Sequence, residues 1–312
     1  MNEIAIERLG EKNPEEIAQV SATALDVPLA GDAVLMLARP SAPALVLGAF
    51  QRATATGGLT TVRRGSGGPS AHVGPGSLWV ALALAHPSAL VACEPSRIVN
   101  RYVRPLLRAL TKSGALAHYF GREWISVGHR PVALVTFAHD ATSRRTLFEA
   151  IVGVSHPFAL AARASFRGKE PGTLAEITGR DFDLAKIEDA IVEAYAHGHA
   201  HAHAHAHAHG HAHAHAHAHA TDPPWLATTS EPIGEVGAGP DAAGLFRVGG
   251  DLLVSRDALA ALEARALRTE VTGIATLVNE TLGAPGVAID GVRDLASIAN
   301  VVARALSFAR DP

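Results

Sequence analysis

Cysteine is almost missing. Cys93 is alone in 312 residues, so no intramolecular disulfide and no cysteine-based zinc knuckle can form, and nothing ties the chain to an oxidising compartment. The expected location is cytoplasmic. An excess of one charge is also missing: Lys+Arg total 27 against Asp+Glu 30, a formal net charge of -3. That balance gives no field to gather phosphate backbones or anionic lipid, which argues against nucleic acid or a membrane surface as partner. Long apolar runs are absent, because the most apolar stretch, 78–93, is interrupted by His86-Pro87-Ser88 and is too short to span a bilayer. Residues 1–16 carry Glu3, Glu7, Glu15 and Glu16 without the basic-then-apolar order of a secretory signal. Lysine is confined to Lys12, Lys112, Lys169 and Lys186.

What remains is ample for folding. Hydrophobic residues make up 48% of the chain, enough to bury a sizeable core and, at this length, to divide into two domains. Apolar runs at 32–39, 44–48, 78–85, 124–127, 132–138 and 147–154 are short and bounded by turn residues, as buried strands are. Residues 94–113 place Ile98, Tyr102, Leu106 and Leu110 four apart ahead of Gly114, which predicts a long helix with a glycine stop. Several strands follow one another without a helix between them, so the class is α+β with a mixed or antiparallel sheet. A second helix is expected over 183–196, capped by Asp181 or Asp183. The last ninety residues predict strands at 245–248 and 252–254 and helices at 256–268 and 292–309. The expected division is 1–196, a low-complexity insert at 197–220, and a small α/β domain at 221–312.

The insert is a dipeptide repeat. Histidine occupies His197, His199, His201, His203, His205, His207, His209, His211, His213, His215, His217 and His219, alternating with alanine except at Gly198 and Gly210. As a strand one face would be all imidazole, and as a helix no apolar stripe would remain, so a mobile, exposed segment is expected. Imidazole is a common ligand for zinc or nickel, and the tract is a candidate transition-metal site, whether as a buffer, a metallochaperone or a neutral expansion.

The densest glycine segment runs RRGSGGPSAHVGPGS from Arg63 to Ser77. Glycines let a ligand approach the backbone, exposed amides can meet an anion, and two arginines offer forked charge. The segment has neither the Lys-Ser/Thr ending of a P-loop nor a Gly-x-Ser-x-Gly elbow. Its order with ALVLGAFQR before it, and the long helix, GREW, GHRPVA and FRVGGDLL after it, resembles the lipoate-protein ligase family. Members share a biotin/lipoate ligase-type catalytic domain: a mixed sheet with flanking helices, here extended by an accessory domain. The resemblance covers roughly residues 30 to 195. It implies ATP-dependent activation of a lipoyl-type acid and its transfer to a lysine of a lipoyl-carrier protein. It also implies that Arg63, Arg64, Ser66, Gly67, Gly68, Gly76 and Ser77 bind the nucleotide-linked acid.

The departures from that pattern are specific. Pro69 stands where the family has a third loop glycine, and Glu123-Trp124 where it has Asn-Asp. The catalytic lysine falls within His129-Arg130-Pro131, which leaves Arg130 and His129 as the candidate catalytic pair. Arginine and lysine differ in reach and geometry. The chain therefore also reads as a non-catalytic ligand- or carrier-binding pseudo-ligase. Cys93 lies upstream of where a transferase nucleophile belongs and is expected to be a small buried residue.

Overall fold

The computed structural model describes residues 4–29, 31–53, 58–156, 168–196, 202–204 and 222–310. In chain order the first strands are β1 (Ile4–Lys12), β2 (Ala33–Pro40), β3 (Ala44–Leu47), β4 (Thr60–Arg63), β5 (Ala71–Val73) and β6 (Ser77–Leu84), with helix α1 (Pro14–Thr23) after β1. They are followed by α2 (Ile98–Lys112), β7 (Ala117–Tyr119), β8 (Trp124–Val127), β9 (Arg130–His139) and β10 (Thr146–Gly153). Helices α3 (Leu174–Thr178) and α4 (Leu184–Ala196) and strand β11 (Ala202–Ala204) come next.

Eight strands form one mixed sheet in the order β11-β1-β2-β6-β10-β9-β8-β7. β1 runs parallel to both neighbours and the remaining pairs are antiparallel. The chain is α+β, as its strand-after-strand order predicts. Side-chain alternation divides the central strands between two layers. Leu78, Val80, Leu82 and Leu84 of β6 join Phe148, Ala150 and Val152 of β10 in the main core, together with Ile98, Tyr102, Leu106 and Leu110 of α2. On the other face Trp79 and Ile151 pack with Ile17, Val46 and Val62, beneath α1 and a three-stranded sheet in the order β4-β3-β5.

Helix α2 is preceded by a 3-10 turn at Pro95–Arg97 and stops at Ser113, and Gly114 follows at φ 98. Helix α4 is started by Asp183, whose Oδ1 accepts from the Ala185 amide at 2.9 Å. Tyr195 of α4 donates its hydroxyl to the Tyr102 carbonyl at 2.6 Å, and Arg39 grips Glu188 with two bonds of 2.7 Å. These bonds lock α4 to α2 and to the sheet.

The C-terminal residues form β12 (Ala227–Glu231), β13 (Gly234–Pro240) and β14 (Phe246–Gly250) in one antiparallel sheet, and β15 (Leu253–Val254) with β16 (Ile289–Asp290) in another. Helices α5 (Arg256–Ala266), α6 (Ile274–Leu282) and α7 (Leu295–Arg310) cover them. This layer has its own core of Val236, Val248, Leu262, Val278 and Leu306, into which Phe50 packs from the first half. Conversely, Ile233, Leu253 and Ala288 join the core of the large sheet.

The histidine tract, His197 to His219, lies outside the described residues except for the backbone of Ala202–Ala204, which pairs with Ile4–Ile6. A packed strand was not expected there. Edge pairing needs only backbone N–H and C=O groups, which the outer edge of β1 supplies without demanding an apolar face. No helix among the described residues is long and apolar enough to cross a membrane.

Candidate functional site

The glycine-rich segment leaves β4 at Arg63 and crosses the face of the large sheet that carries Trp79, Thr136 and Glu149. Each of those strands contributes one polar or aromatic residue at an otherwise apolar position, and together they make the seat of the loop. Glu149 is fully buried and accepts from the Ser21 hydroxyl at 2.7 Å, the Ser66 amide at 2.9 Å and the Trp79 indole at 2.8 Å. Ser66 shares a 2.7 Å hydrogen bond with the Thr136 hydroxyl. Arg64 is 1% exposed. Its Nε donates to Ser66 Oγ at 3.0 Å, and its Nη2 donates to the carbonyls of Gly67 at 2.5 Å and Pro69 at 2.8 Å. Burial lowers the Arg64 pKa to about 10, with the Glu149 charge opposing that shift. A buried guanidinium and a buried carboxylate thus bracket Ser66, and each is held by hydrogen bonds, which is the condition for keeping charge in a core.

The loop amides are consumed in the same way. Gly65 donates its N–H to Ser21 Oγ at 2.7 Å, Gly67 to the Phe137 carbonyl at 3.1 Å and Gly68 to the Leu252 carbonyl at 2.7 Å. Pro69 has no N–H to give. The glycines are needed for close approach: a Cβ on Gly67 would stand 2.2 Å from the Leu252 oxygen. Gly68 also takes φ 85, which only glycine adopts without strain. Gly76, at φ 95, and Ser77 form a tight turn instead, with the Gly76 carbonyl accepting from Val154 and Ser155.

The second candidate group lies elsewhere. Gly128 and His129, at φ 53 and 67, are the two central residues of the β8–β9 hairpin, and both are exposed. Arg130 starts β9, where its guanidinium donates to Glu176 at 2.8 Å and the Pro171 carbonyl at 2.7 Å. The Gly-rich loop is hydrogen-bonded to β9 at Thr136 and Phe137. Six residues of strand place Arg130 about 20 Å along the sheet from Ser66. The structure does not bring His129 and Arg130 to the glycine loop. Lys169 reaches the same hairpin, donating to the His129 carbonyl at 3.2 Å. His139 is buried, with Nδ1 against Thr146 Oγ1 at 2.9 Å and Nε2 against the Gly286 carbonyl at 3.2 Å, and so ties β9 to the C-terminal layer.

Cys93 is buried and burial pushes its thiol up to about 11, so it is not a poised nucleophile. No group of three or more metal-ligating side chains occurs among the described residues. Sequence reasoning missed Ser21, Thr136, Glu149 and Asp251 as parts of this site. The available signal was a polar residue inside an apolar strand, in LVTFAH and LFEAIV. Asp251 lies at the seam between the two halves. It accepts from Gln51 Nε2 at 2.6 Å and the Glu235 amide at 2.7 Å, and burial raises its carboxyl to about 6.

No family model matches the sequence, and no curated protein matches it. Solved structures do. Lipoate-protein ligase A bound with ATP aligns at TM-score 0.51 and 13% identity, over 63% of this chain and 85% of that one. The bipartite lipoate protein ligase of Thermoplasma acidophilum, described with its E2 lipoyl domain, aligns at TM-score 0.50 and 12% identity, over 64% and 84%. Protein Ta0514 of the same organism, with bound lipoic acid, gives TM-score 0.50 and 13% identity, over 63% and 86%. The chain therefore carries the biotin/lipoate ligase-type fold, with a mixed sheet and flanking helices.

Proposed function

We propose that this chain is a ligase-fold binding protein, one that holds a lipoyl-type acid or a lipoyl-carrier partner without activating the acid through ATP. One observation carries the reading: the amides of residues 65–68 all donate to protein acceptors, and residue 69 is proline. Stabilising the charge of an acyl phosphate requires donors aimed at it. Here those donors are spent on Ser21, Glu149, Phe137 and Leu252. ATP does not fit a loop so engaged, and the candidate cation Arg130 stands at the far end of β9. The rival reading is ATP-dependent activation and transfer to a carrier lysine, which the likeness to an ATP-bound ligase favours.

The two readings separate in one assay. Full-length protein with lipoate, ATP, magnesium and hydroxylamine should form no acyl hydroxamate above the protein-free control, while lipoate or a lipoyl domain raises its melting temperature. Hydroxamate formed at the rate of an ordinary ligase would establish the rival. The histidine tract supports a separate proposal, multi-site binding of zinc or nickel that weakens as pH falls through about 6.5, the ordinary imidazole value. Titrating the full chain and a variant without residues 197–219 with zinc checks this: the shortened chain should lose most of the bound metal.

A further inference from the structure

The large sheet has two outer edges, and they are treated differently. At one end the backbone of Ala202–Ala204 pairs with β1. At the other, β7 is joined to β8, and among the described residues no strand pairs its outer side. An open sheet edge offers a row of backbone donors and acceptors to a second strand.

The residues around β7 alternate between two faces. Ala115, Ala117 and Tyr119 turn to the core beneath α2, while Leu116, His118 and Phe120 are exposed. Leu116 is 63% exposed and Phe120 64%, and the His118 and Phe120 rings stack with centroids 6.0 Å apart. Edge strands are commonly blunted by charge, yet this stripe carries no lysine, aspartate or glutamate. The backbone is turned for pairing as well. The Ala117 N–H points away from β8 and donates to Thr111 Oγ1 at 3.3 Å. By the alternation of an antiparallel ladder, the Ala117 carbonyl and both backbone groups of Tyr119 lie on that same outer side.

The run LAHYF, 116–120, complements itself when reversed about His118. In that antiparallel register Tyr119 N–H of each copy meets the Ala117 carbonyl of the other, and the bond to Thr111 is kept. Leu116 then faces Phe120 of the second copy, and His118 faces its counterpart, as non-hydrogen-bonded pairs with Cα atoms about 4.5 Å apart. We infer that β7 is the contact of a two-fold dimer, in which the sheets of two copies join edge to edge and each Leu116 is covered by the other's Phe120. A two-fold contact has to be self-complementary, which selects a second copy of this chain over an unrelated extended peptide. The inference does not rest on the function proposed above.

Sedimentation velocity of the full chain tests it, with EDTA present so that metal on the histidine tract cannot link copies. Dimer should predominate at about 100 µM and monomer at about 1 µM, either side of a dissociation constant of about 10 µM. Leu116→Lys or Phe120→Glu alone should weaken association at least about ten-fold, and the double variant, which sets lysine against glutamate across the two-fold, should restore it. His118→Cys reads the register: its Cα spacing across the two-fold is within disulfide reach, so mild oxidation should link two copies, while Arg104→Cys on the exposed face of α2 should stay unlinked. Cys93 is buried and takes no part. A monomer at every concentration, a dimer unchanged by Leu116→Lys, a double variant no tighter than the singles, or equal cross-linking of His118→Cys and Arg104→Cys would each overturn the assignment.

Discussion

The glycine loop at Arg63–Pro69 and the hairpin tip at Gly128–His129 both look permissive in sequence, and the structure uses them in opposite ways. In the loop, small residues allow close approach: Gly67 lies against the Leu252 carbonyl, and every amide from 65 to 68 is bonded inward. In the hairpin, Gly128 and His129 shape the turn, since both take positive φ and are exposed. The comparison teaches that a ligand-binding composition and a packing composition can be identical. What separates them is where the N–H groups point. The two segments stand about 20 Å apart along β9.

The contrast can be broken most forcefully at Glu149. Glu149→Ala leaves three buried donors without their acceptor and removes the carboxylate charge that favours the buried Arg64, and should cost about 4 kcal/mol in urea unfolding. A loss below about 1 kcal/mol would mean that the loop is not seated there. The next effect is pH-dependent. Burial lifts the Asp251 carboxyl from 3.8 to about 6. Its folded value lies above the unfolded one, so its contribution to stability is complete below about pH 4 and is lost as pH rises through about 6. Asp251→Asn should remove this slope, gaining up to about 3 kcal/mol on wild type between those limits. Parallel pH–stability curves for the two proteins would contradict it.

Smaller changes sharpen the same contrast. Gly67→Ala puts a methyl into the Leu252 carbonyl and should destabilise by about 1–3 kcal/mol, the usual range for overpacking, measured by thermal unfolding. At the hairpin, Arg130→Ala removes a half-exposed pair with Glu176 and should cost less than about 1 kcal/mol. If Arg130→Ala cost more than Gly67→Ala, the hairpin would be the more constrained of the two regions.

Much of this was legible in the residues. Continuous apolar runs identify β2, β3, β6, β8, β9 and β10, because strands buried on both faces leave no other signal. Four-residue spacing identifies α2 and α4. Strand β1, IAIERLGEK, was not legible, because only its first residues are buried and the rest mixes charge with glycine. Strands β12 and β13, ATTSE and GEVGAGP, carry turn-forming residues yet pair fully. They succeed through backbone bonds and the apolar cover of α7, a tertiary effect that local propensity cannot report. At the site, the motif located the loop that matters but not its state. Nothing in RRGSGGP says that Arg64 turns inward and Arg63 outward. That follows from the strand register of β4 and from Glu149, eighty-three positions beyond Ser66.

The most direct test of the account is amide hydrogen exchange at residues 65–68 in the full-length protein, with and without ATP and magnesium. Inward bonding predicts that all four amides exchange slowly in the free protein and that nucleotide leaves their rates unchanged. Fast exchange in the free protein, with protection arising only when ATP is added, would show that the loop is an open phosphate cradle and would contradict the closed seat described here.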